Sequence, residues 1–310
     1  MLTNIFLLAM SLALVIKGAT LATTYAERLS MSFPISRYTI GFIVVAIISI
    51  LPETFIGITA ALQGTPEFGL GVLFGSNVAD LTLIFAIIIF FSRHSLKAEA
   101  KILRNHIAYP AMLALPLVLG LDGFYSRVEG AALIIAGAAF YFVILREGAC
   151  RDCVVPAYTE DRVKNFSLLI FSMALLLIGA HFTVVSATAV ATLLGVSPIL
   201  IGMLIVGLGT TLPELFFSLS SAKKKDDSLA IGDVLGTVLA DATVVVGIIA
   251  VIHPFAFPLK IIYVTGACML VAAFILFRFM RSGKTLTARE GKLLFLFWVA
   301  FVCIELAVNL

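Results

Sequence analysis

The chain has 310 residues, of which 61% are hydrophobic and only 13% are charged, and its mean hydropathy is +1.14. A soluble domain could not bury that much apolar surface, so the composition indicates a protein that lies in a bilayer. The formal net charge is only +3, and the basic residues are not interleaved with aromatic ones, so no nucleic-acid partner is expected.

Ten apolar stretches predict transmembrane helices, because a helix needs about 20 mainly apolar residues to cross a bilayer. The expected fold class is therefore an all-α membrane protein with the lipid bilayer as its solvent. The predicted spans are 3–26, 38–62, 69–91, 107–121, 128–145, 166–186, 197–220, 229–252, 259–279 and 291–309.

Basic residues lie almost entirely in alternate loops between these spans. One side of the membrane receives 18 of the 21 Lys and Arg residues, whereas the loops of the other side hold only Arg127 and Lys260. The positive-inside rule then predicts that both termini are outside and that the central loop is cytoplasmic. The expected location is the cell (plasma) membrane.

The segment Leu51-Pro52-Glu53-Thr54 returns 161 residues later as Leu212-Pro213-Glu214-Leu215. One fixed offset at many positions indicates an internal duplication. Because each half has five spans, an odd number, the second half enters the membrane in the opposite orientation. Further pairs at this offset are Gly18 and Gly179, Gly41 and Gly202, Ser76 and Thr237, Asp80 and Asp241, and Thr82 and Thr243.

The chain is therefore expected to contain two inverted five-helix repeats, over 1–145 and 166–310, joined by a cytoplasmic linker over 146–165. A site built from equivalent residues of both halves would lie near mid-membrane. The linker holds Cys150 and Cys153, a lone CxxC pair without the partners that a zinc or redox site needs. No obligate protein partner is evident from the helices.

Glu53 and Glu214 each follow a proline deep within an apolar span. Proline removes a helical N–H, so backbone carbonyls near Ser49 and Thr210 are expected to face a cavity or an ion. A simple kink is the alternative explanation for such a proline. A kink does not explain why glutamate comes next in both halves.

Ser76 and Asp80 are four residues apart and share one helical face, as do Thr237 and Asp241. Such oxygen ligands suit calcium, and no His or Cys joins the cluster to favour zinc, copper or iron. Near the bilayer centre each isolated carboxylate costs about 2.5 kcal/mol or more, so these acids need cations, protons or water. The predicted calcium ligands are Glu53, Glu214, Asp80, Asp241, Ser49, Thr210, Ser76 and Thr237, and the four acids are also predicted proton sites.

Three residues are candidates for accessory roles. Asp233 shares a face with Asp241, and it lies either at the edge of the site or at the cytoplasmic start of span eight. Lys17, within span one, either pairs with an acid of the site or extends to water. Thr211 adds a hydroxyl beside Thr210.

At these residues the chain resembles the prokaryotic type of the cation/calcium exchanger superfamily, which includes sodium/calcium and proton/calcium exchangers. The resemblance covers residues 39–91 and 200–252. The segment 209–214, Gly-Thr-Thr-Leu-Pro-Glu, is similar to the second family motif. The segments 75–80 and 236–241 resemble the paired segments that complete the ion site.

The resemblance implies a secondary active transporter that is not an enzyme and needs no cofactor. It implies calcium exchange by alternating access, with Glu53 and Glu214 as central ligands and spans one and six sliding against the other eight. Two departures favour protons over sodium as the counter-ion. Ile50 replaces a hydroxyl residue that contributes to a sodium site in sodium-coupled relatives, and Asp80 stands where many of them carry Asn.

Three other interpretations stay open at this point. Sodium-coupled calcium exchange is the first, because the site still has many hydroxyl oxygens that could bind sodium. A cation channel would also use acidic residues, but in symmetric oligomers around a continuous pore. An intramembrane aspartyl protease is weakly suggested by Ile231-Gly232-Asp233, although two catalytic acids would leave the duplicated ones unexplained.

Overall fold

The computed structural model describes residues 2–30, 37–92, 94–98, 107–148 and 162–309, which are mostly helical. We label the helices of these residues α1 to α10 in chain order, and α2 consists of four consecutive segments. The bounds are α1 Leu2–Ser30; α2 Arg37–Thr39, Ile40–Val45, Ala46–Ser49 and Leu51–Leu62; α3 Pro66–Ser92; α4 Ala108–Leu119; α5 Arg127–Gly148; α6 Arg162–Leu194; α7 Pro198–Lys223; α8 Asp227–Ile252; α9 Ile261–Gly283; and α10 Ala288–Asn309.

Eight helices of the described residues are long and apolar enough to cross a membrane, where the sequence predicted ten spans. The other two predicted spans correspond to shorter apolar helices, Leu51–Leu62 in α2 and Ala108–Asp122 at α4. The first is short because the helix breaks at Ile50, between Ser49 and Leu51. The second contains Pro116, and its α-helical part ends before Gly120.

Helix bounds recur at the same offset of 161 residues as the sequence motifs. Leu51–Leu62 in α2 corresponds to Leu212–Lys223 at the end of α7, and Arg127 and Ala288 begin α5 and α10. The duplication therefore extends from the motifs to local structure.

Two short antiparallel strand pairs connect loops of the two halves. Strand β1 (Leu96–Lys97) pairs with β4 (Thr285–Leu286), and β2 (Phe124–Tyr125) pairs with β3 (Phe255–Ala256). Each pair joins one strand from the first half to one from the second. The loops of the two halves are thus held together by backbone hydrogen bonds.

Wider, π-helical turns interrupt the helices at equivalent places in the two halves. One pair comprises Ile40–Val45 in α2 and Gly202–Val206 in α7, and the other Asp80–Ile84 in α3 and Asp241–Val245 in α8. Such turns are rare and are frequent at functional sites. These four turns lie in the helices that carry the candidate acids, whereas a fifth, Ile261–Gly266, lies in α9.

Glycines allow the acid-bearing helices to approach closely across the two halves. A Cβ on Gly75 in α3 would lie 2.5 Å from the carbonyl oxygen of Met203 in α7. At the equivalent contact, a Cβ on Gly236 in α8 would lie 2.3 Å from the carbonyl oxygen of Phe42 in α2. Small residues at such contacts let membrane helices pack backbone against backbone. The two halves therefore interlock around the candidate site.

Helices α1 and α6 also pack together through equivalent glycines. Gly18 lies against Leu176, and Gly179 lies against Val15. Their buried apolar side chains form one cluster with residues of α2, α3 and α7, among them Ile56, Val72 and Val206, beside the larger core around α3, α4, α8, α9 and α10. Cys150, Cys153 and most of the linker 146–165 lie outside the described residues.

Candidate functional site

The candidate site begins at two helix breaks, one in each half. The α-helical hydrogen bonding is interrupted at Ile50 in α2 and at Thr211 in α7, and the backbone angles there (φ −71°, ψ −3° and φ −77°, ψ −7°) are nearly the same. Pro52 and Pro213 lie at the start of the following helical segments. Glu53 and Glu214 therefore occupy first turns, where the helix dipole favours a negative charge.

Four carboxyl groups are buried near one another, two of them at these breaks and two in α3 and α8. Glu53 is 1% exposed, and Asp80, Glu214 and Asp241 are fully buried. The charge of Glu53 acts on each of the other three acids, so they share one electrostatic environment. None of the eight carboxyl oxygens has a hydrogen-bond partner among the described residues. Buried carboxylates without donors must be neutralised by cations or protons.

Asp80 and Asp241 occupy equivalent backbone positions. The α-helical part of α3 ends at Ala79 and that of α8 ends at Ala240, so each aspartate is the first residue of a π-helical turn. The structure thus brings together all four acids that the sequence predicted, on the interlocked helices α2, α3, α7 and α8.

The side chains of the predicted hydroxyl ligands are all fully buried, but they differ in their hydrogen bonds. Ser76 and Thr210 each donate to a carbonyl of their own helix at 3.0 Å, those of Leu73 and Gly207. Thr210 also neighbours the carboxyl group of Glu53. Thr237 Oγ1 is buried without a partner among the described residues. A hydroxyl that donates to a carbonyl keeps lone pairs with which its oxygen can bind a cation.

Ser49 and Asp233 are linked directly. The Ser49 hydroxyl donates to Asp233 Oδ1 at 3.1 Å, and Ser218 donates to Asp233 Oδ2 at 2.9 Å. Asp233 is fully buried, and its charge acts on Asp80 and Glu214, so it lies beside the four acids. Sequence reasoning missed Ser218, although its position one turn after Glu214, on the same face, was the available signal.

The accessory candidates Lys17 and Thr211 lie in different environments. Thr211 is buried at the break in α7, where its hydroxyl donates to the carbonyl of Leu208 at 3.0 Å. Lys17 is exposed on α1 and does not join the buried acids.

Asn77 is a second polar residue that sequence reasoning did not select. Its side chain is fully buried beside Ser76, its Nδ2 lies 3.6 Å from the sulfur of Met269, and its Oδ1 has no partner among the described residues. Its equivalent in the second half is Val238, so the repeat gave no signal.

No three His, Cys, Asp or Glu side chains within the described ranges are arranged to hold a metal ion directly. In this conformation the four acids therefore do not form a closed metal-ligand shell.

An ion pair connects the loop after α3 to the first residue of α8. His94 Nε2 lies 2.8 Å from Asp227 Oδ1, and the backbone N–H of Lys97 donates to Asp227 Oδ2 at 2.9 Å. The hydrogen bond with Asp227, followed by that with the Ser92 carbonyl, raises the pKa of His94 above its usual 6.5, while burial of the ring and, less strongly, the charge of Lys225 oppose the shift. The pair thus ties together the ends of two acid-bearing helices.

We expect this ion pair to make the stability of the protein depend on pH. Because the pKa of His94 is raised by folding, its contribution is complete below about 6.5 and is lost as pH rises through the higher folded value. His94 is partly exposed, so the effect is expected to be at most about 1 kcal/mol. Melting temperatures of the wild type and of His94→Gln should be measured from below pH 6.5 to above the folded pKa of His94. The two proteins should differ most at the acidic end. A difference that grows with rising pH would contradict the assignment.

Buried acids beside helix breaks, in two interlocked halves of apolar helices, define a membrane transporter of cations rather than an enzyme. The sequence profile of the sodium/calcium exchanger protein family matches the chain twice, over residues 3–146 and 164–307. The chain therefore belongs to the sodium/calcium exchanger family, as the motifs predicted.

Individual relatives and a solved structure are similar to this chain over most of their length. The sodium/calcium exchanger MaX1 of Methanosarcina acetivorans is 23% identical, with 97% of this chain and 98% of the relative covered. The uncharacterized membrane protein MJ0091 of Methanocaldococcus jannaschii is 29% identical over 70% of this chain and 71% of its own. A solved structure of the sodium-calcium exchanger NCX_Mj has the same fold, with a TM-score of 0.72, 23% identity, and coverage of 97% and 98%. The chain is thus an integral membrane protein of the exchanger type.

Proposed function

We propose that the chain is a secondary antiporter that exchanges calcium for protons across the cell membrane by alternating access. The observation that carries this proposal is the set of eight buried carboxyl oxygens, on Glu53, Asp80, Glu214 and Asp241, that have no hydrogen-bond donor among the described residues. A calcium ion bound among them supplies two positive charges and accepts the many oxygen ligands that it prefers. When calcium leaves, protons on the same acids keep the site from holding uncompensated charge.

The neutral ligands of calcium in this proposal are the hydroxyls of Ser49, Thr210, Ser76 and Thr237, with Thr211 as an accessory. The burial of all five hydroxyl groups beside the acids supports these roles.

Proton coupling is supported by a difference between the two helix breaks. Thr211 presents a hydroxyl at the break in α7, whereas the equivalent Ile50 in α2 is apolar and 7% exposed. A sodium ion needs several neutral oxygens, so this half of the site is poorer in sodium ligands. Asp80 adds a titratable group that can carry a proton instead. Sodium coupling is the alternative, and the buried hydroxyl of Thr237, which has no hydrogen-bond partner within the described ranges, favours it.

The proposed membrane arrangement has ten crossings in two inverted repeats, 1–145 and 166–310, joined by the linker 146–165. The recurrence of helix bounds at one offset supports the two repeats. The charge bias of the loops supports termini outside the cell and a cytoplasmic linker. In this arrangement α1 and α6, which pack against each other at Gly18 and Gly179, slide against the other helices.

The proposal can be tested by radioactive calcium uptake into proteoliposomes that contain the purified protein. One set receives a pH gradient without sodium, and the other receives a sodium gradient at constant pH. We expect uptake to follow the pH gradient and to persist in the absence of sodium. Uptake driven only by the sodium gradient would establish the alternative, and a unitary conductance in planar bilayers would indicate a channel.

A further inference from the structure

A fifth buried acid connects three helices beside the four acids of the site. Asp233 in α8 accepts hydrogen bonds from Ser49 in α2 at 3.1 Å and from Ser218 in α7 at 2.9 Å. Ser218 also donates to the carbonyl of Ala230 at 3.1 Å, so its proton is shared between two acceptors. The Ser49 hydroxyl donates to Asp233 and to no other acceptor in the part of the chain that the structure describes.

This arrangement is absent from the equivalent place in the repeat. The counterparts of Asp233 and Ser218 are Val72 and Gly57, whose side chains have no polar atom that could donate or accept a hydrogen bond. The counterpart of Ser49 is Thr210, and its hydroxyl donates to the Gly207 carbonyl of its own helix. Of these two equivalent hydroxyls, the one in the first half is therefore fixed by a carboxylate from the second half.

The direction of the Ser49 hydrogen bond determines what its oxygen can bind. A serine hydroxyl has one proton and two lone pairs, so donating to Asp233 leaves both lone pairs available for a cation. A hydrogen bond to an ionised carboxylate is stronger than one to a neutral acceptor of the same geometry, and it makes the hydroxyl oxygen a better ligand. The Ser49–Asp233 distance of 3.1 Å is at the long end for such a bond. Residues that orient a metal ligand in this way commonly affect metal affinity.

We propose that Asp233 is a positioning residue that orients the Ser49 hydroxyl as a ligand of the transported cation. The proposal rests on the proposed function, because it assumes that Ser49 contacts the cation. Ser49 precedes Glu53 by one helical turn and Ser218 follows Glu214 by one turn. In the orientation given by the loop charges, both residues lie on the cytoplasmic side of the acids. The cation site is therefore asymmetric, with a carboxylate-oriented ligand on that side and an apolar Val72 on the other.

The experiment compares the apparent KM for calcium in proteoliposomes with Asp233→Ala, Asp233→Asn and Ser218→Ala. Removing the acceptor in Asp233→Ala is expected to raise the KM by about ten- to hundred-fold, with a smaller change in maximal rate. Asparagine keeps one acceptor oxygen for Ser49, because Ser218 can turn its proton to Ala230. Asp233→Asn should therefore restore most of the affinity, and Ser218→Ala should have a smaller effect than Asp233→Ala.

A double-mutant cycle with Ser49→Ala distinguishes positioning from direct binding of the cation by Asp233. If Asp233 acts through Ser49, Asp233→Ala has little further effect on the KM once Ser49 is alanine. The proposal is wrong if the fold-changes in KM caused by Ser49→Ala and Asp233→Ala multiply in the double variant. It is also wrong if Asp233→Ala leaves the KM unchanged.

A binding measurement keeps this test separate from the test of calcium transport. Calcium, strontium, manganese and sodium are each added to the detergent-solubilised variants, and the cation-induced rise in melting temperature is recorded. If only sodium or manganese stabilises the wild type, the proposed calcium exchange fails. The double-mutant cycle of Ser49 and Asp233 is then measured with the cation that does stabilise the protein. Additivity of the two substitutions with every stabilising cation would overturn the positioning role.

Discussion

Glu53→Gln and Glu214→Gln are each expected to reduce calcium exchange to the background of protein-free liposomes. Both acids follow a proline at a helix break, both are buried, and neither has a hydrogen-bond donor among the described residues. Glutamine has nearly the same size as glutamate, but it carries no charge to balance the cation and cannot release or accept a transported proton. The measurement is radioactive calcium uptake at a saturating gradient.

The matched control for these variants is Glu67→Gln. Glu67 is also a glutamate in the first turn of a helical segment, at the start of α3, but it is only partly buried and lies outside the acid cluster. Calcium uptake by Glu67→Gln should stay close to that of the wild type. If Glu53→Gln or Glu214→Gln retained uptake comparable to this control, that acid would not be an essential ligand.

The second large effect is expected at the contacts between the two halves. In Gly236→Ala the added Cβ would lie 2.3 Å from the Phe42 carbonyl oxygen and 2.5 Å from the Cβ of Ala46. Both neighbours belong to the packed helix α2, so α8 must move away from it. Overpacking of this kind costs about 1–3 kcal/mol, and here it also displaces the segment that carries Thr237 and Asp241. A lower melting temperature and reduced calcium uptake should accompany each other.

Gly283→Ala is the control for this prediction. Gly283 also lies in a helix, at the end of α9, but a Cβ there would come no closer than 3.5 Å to a neighbouring atom, the Thr285 hydroxyl oxygen. Its melting temperature should be close to that of the wild type. Equal melting temperatures for Gly236→Ala and Gly283→Ala would show that α2 and α8 are not packed as closely as described.

The sequence predicted the parts of the site that are duplicated. A repeated carboxylate in an apolar span costs so much free energy that its presence twice at one offset indicates a functional pair, and Glu53 and Glu214 are indeed buried together. The two helix breaks were predictable for a separate reason, because proline cannot continue the hydrogen bonding of the preceding turn.

Two kinds of feature could not be predicted: contacts that occur in only one half of the chain, and backbone changes that no residue type specifies. The π-helical turns that begin at Asp80 and Asp241 depend on packing between helices, and no residue type specifies them. The contacts of Asp233 with Ser49 and of His94 with Asp227 join residues that are 184 and 133 positions apart, and neither has an equivalent in the other half. Hydropathy also marked α2 as one span, because it does not register a break at a single residue such as Ile50.

The most direct measurement of the central claim is anomalous diffraction from crystals soaked in strontium, a divalent cation that stands in for calcium. We expect one strong peak enclosed by carboxyl oxygens of both Glu53 and Glu214, and loss of that peak in Glu214→Gln. Strontium bound elsewhere in the wild type, with these two glutamates contacting no ion, would contradict the claim that the halves share one cation.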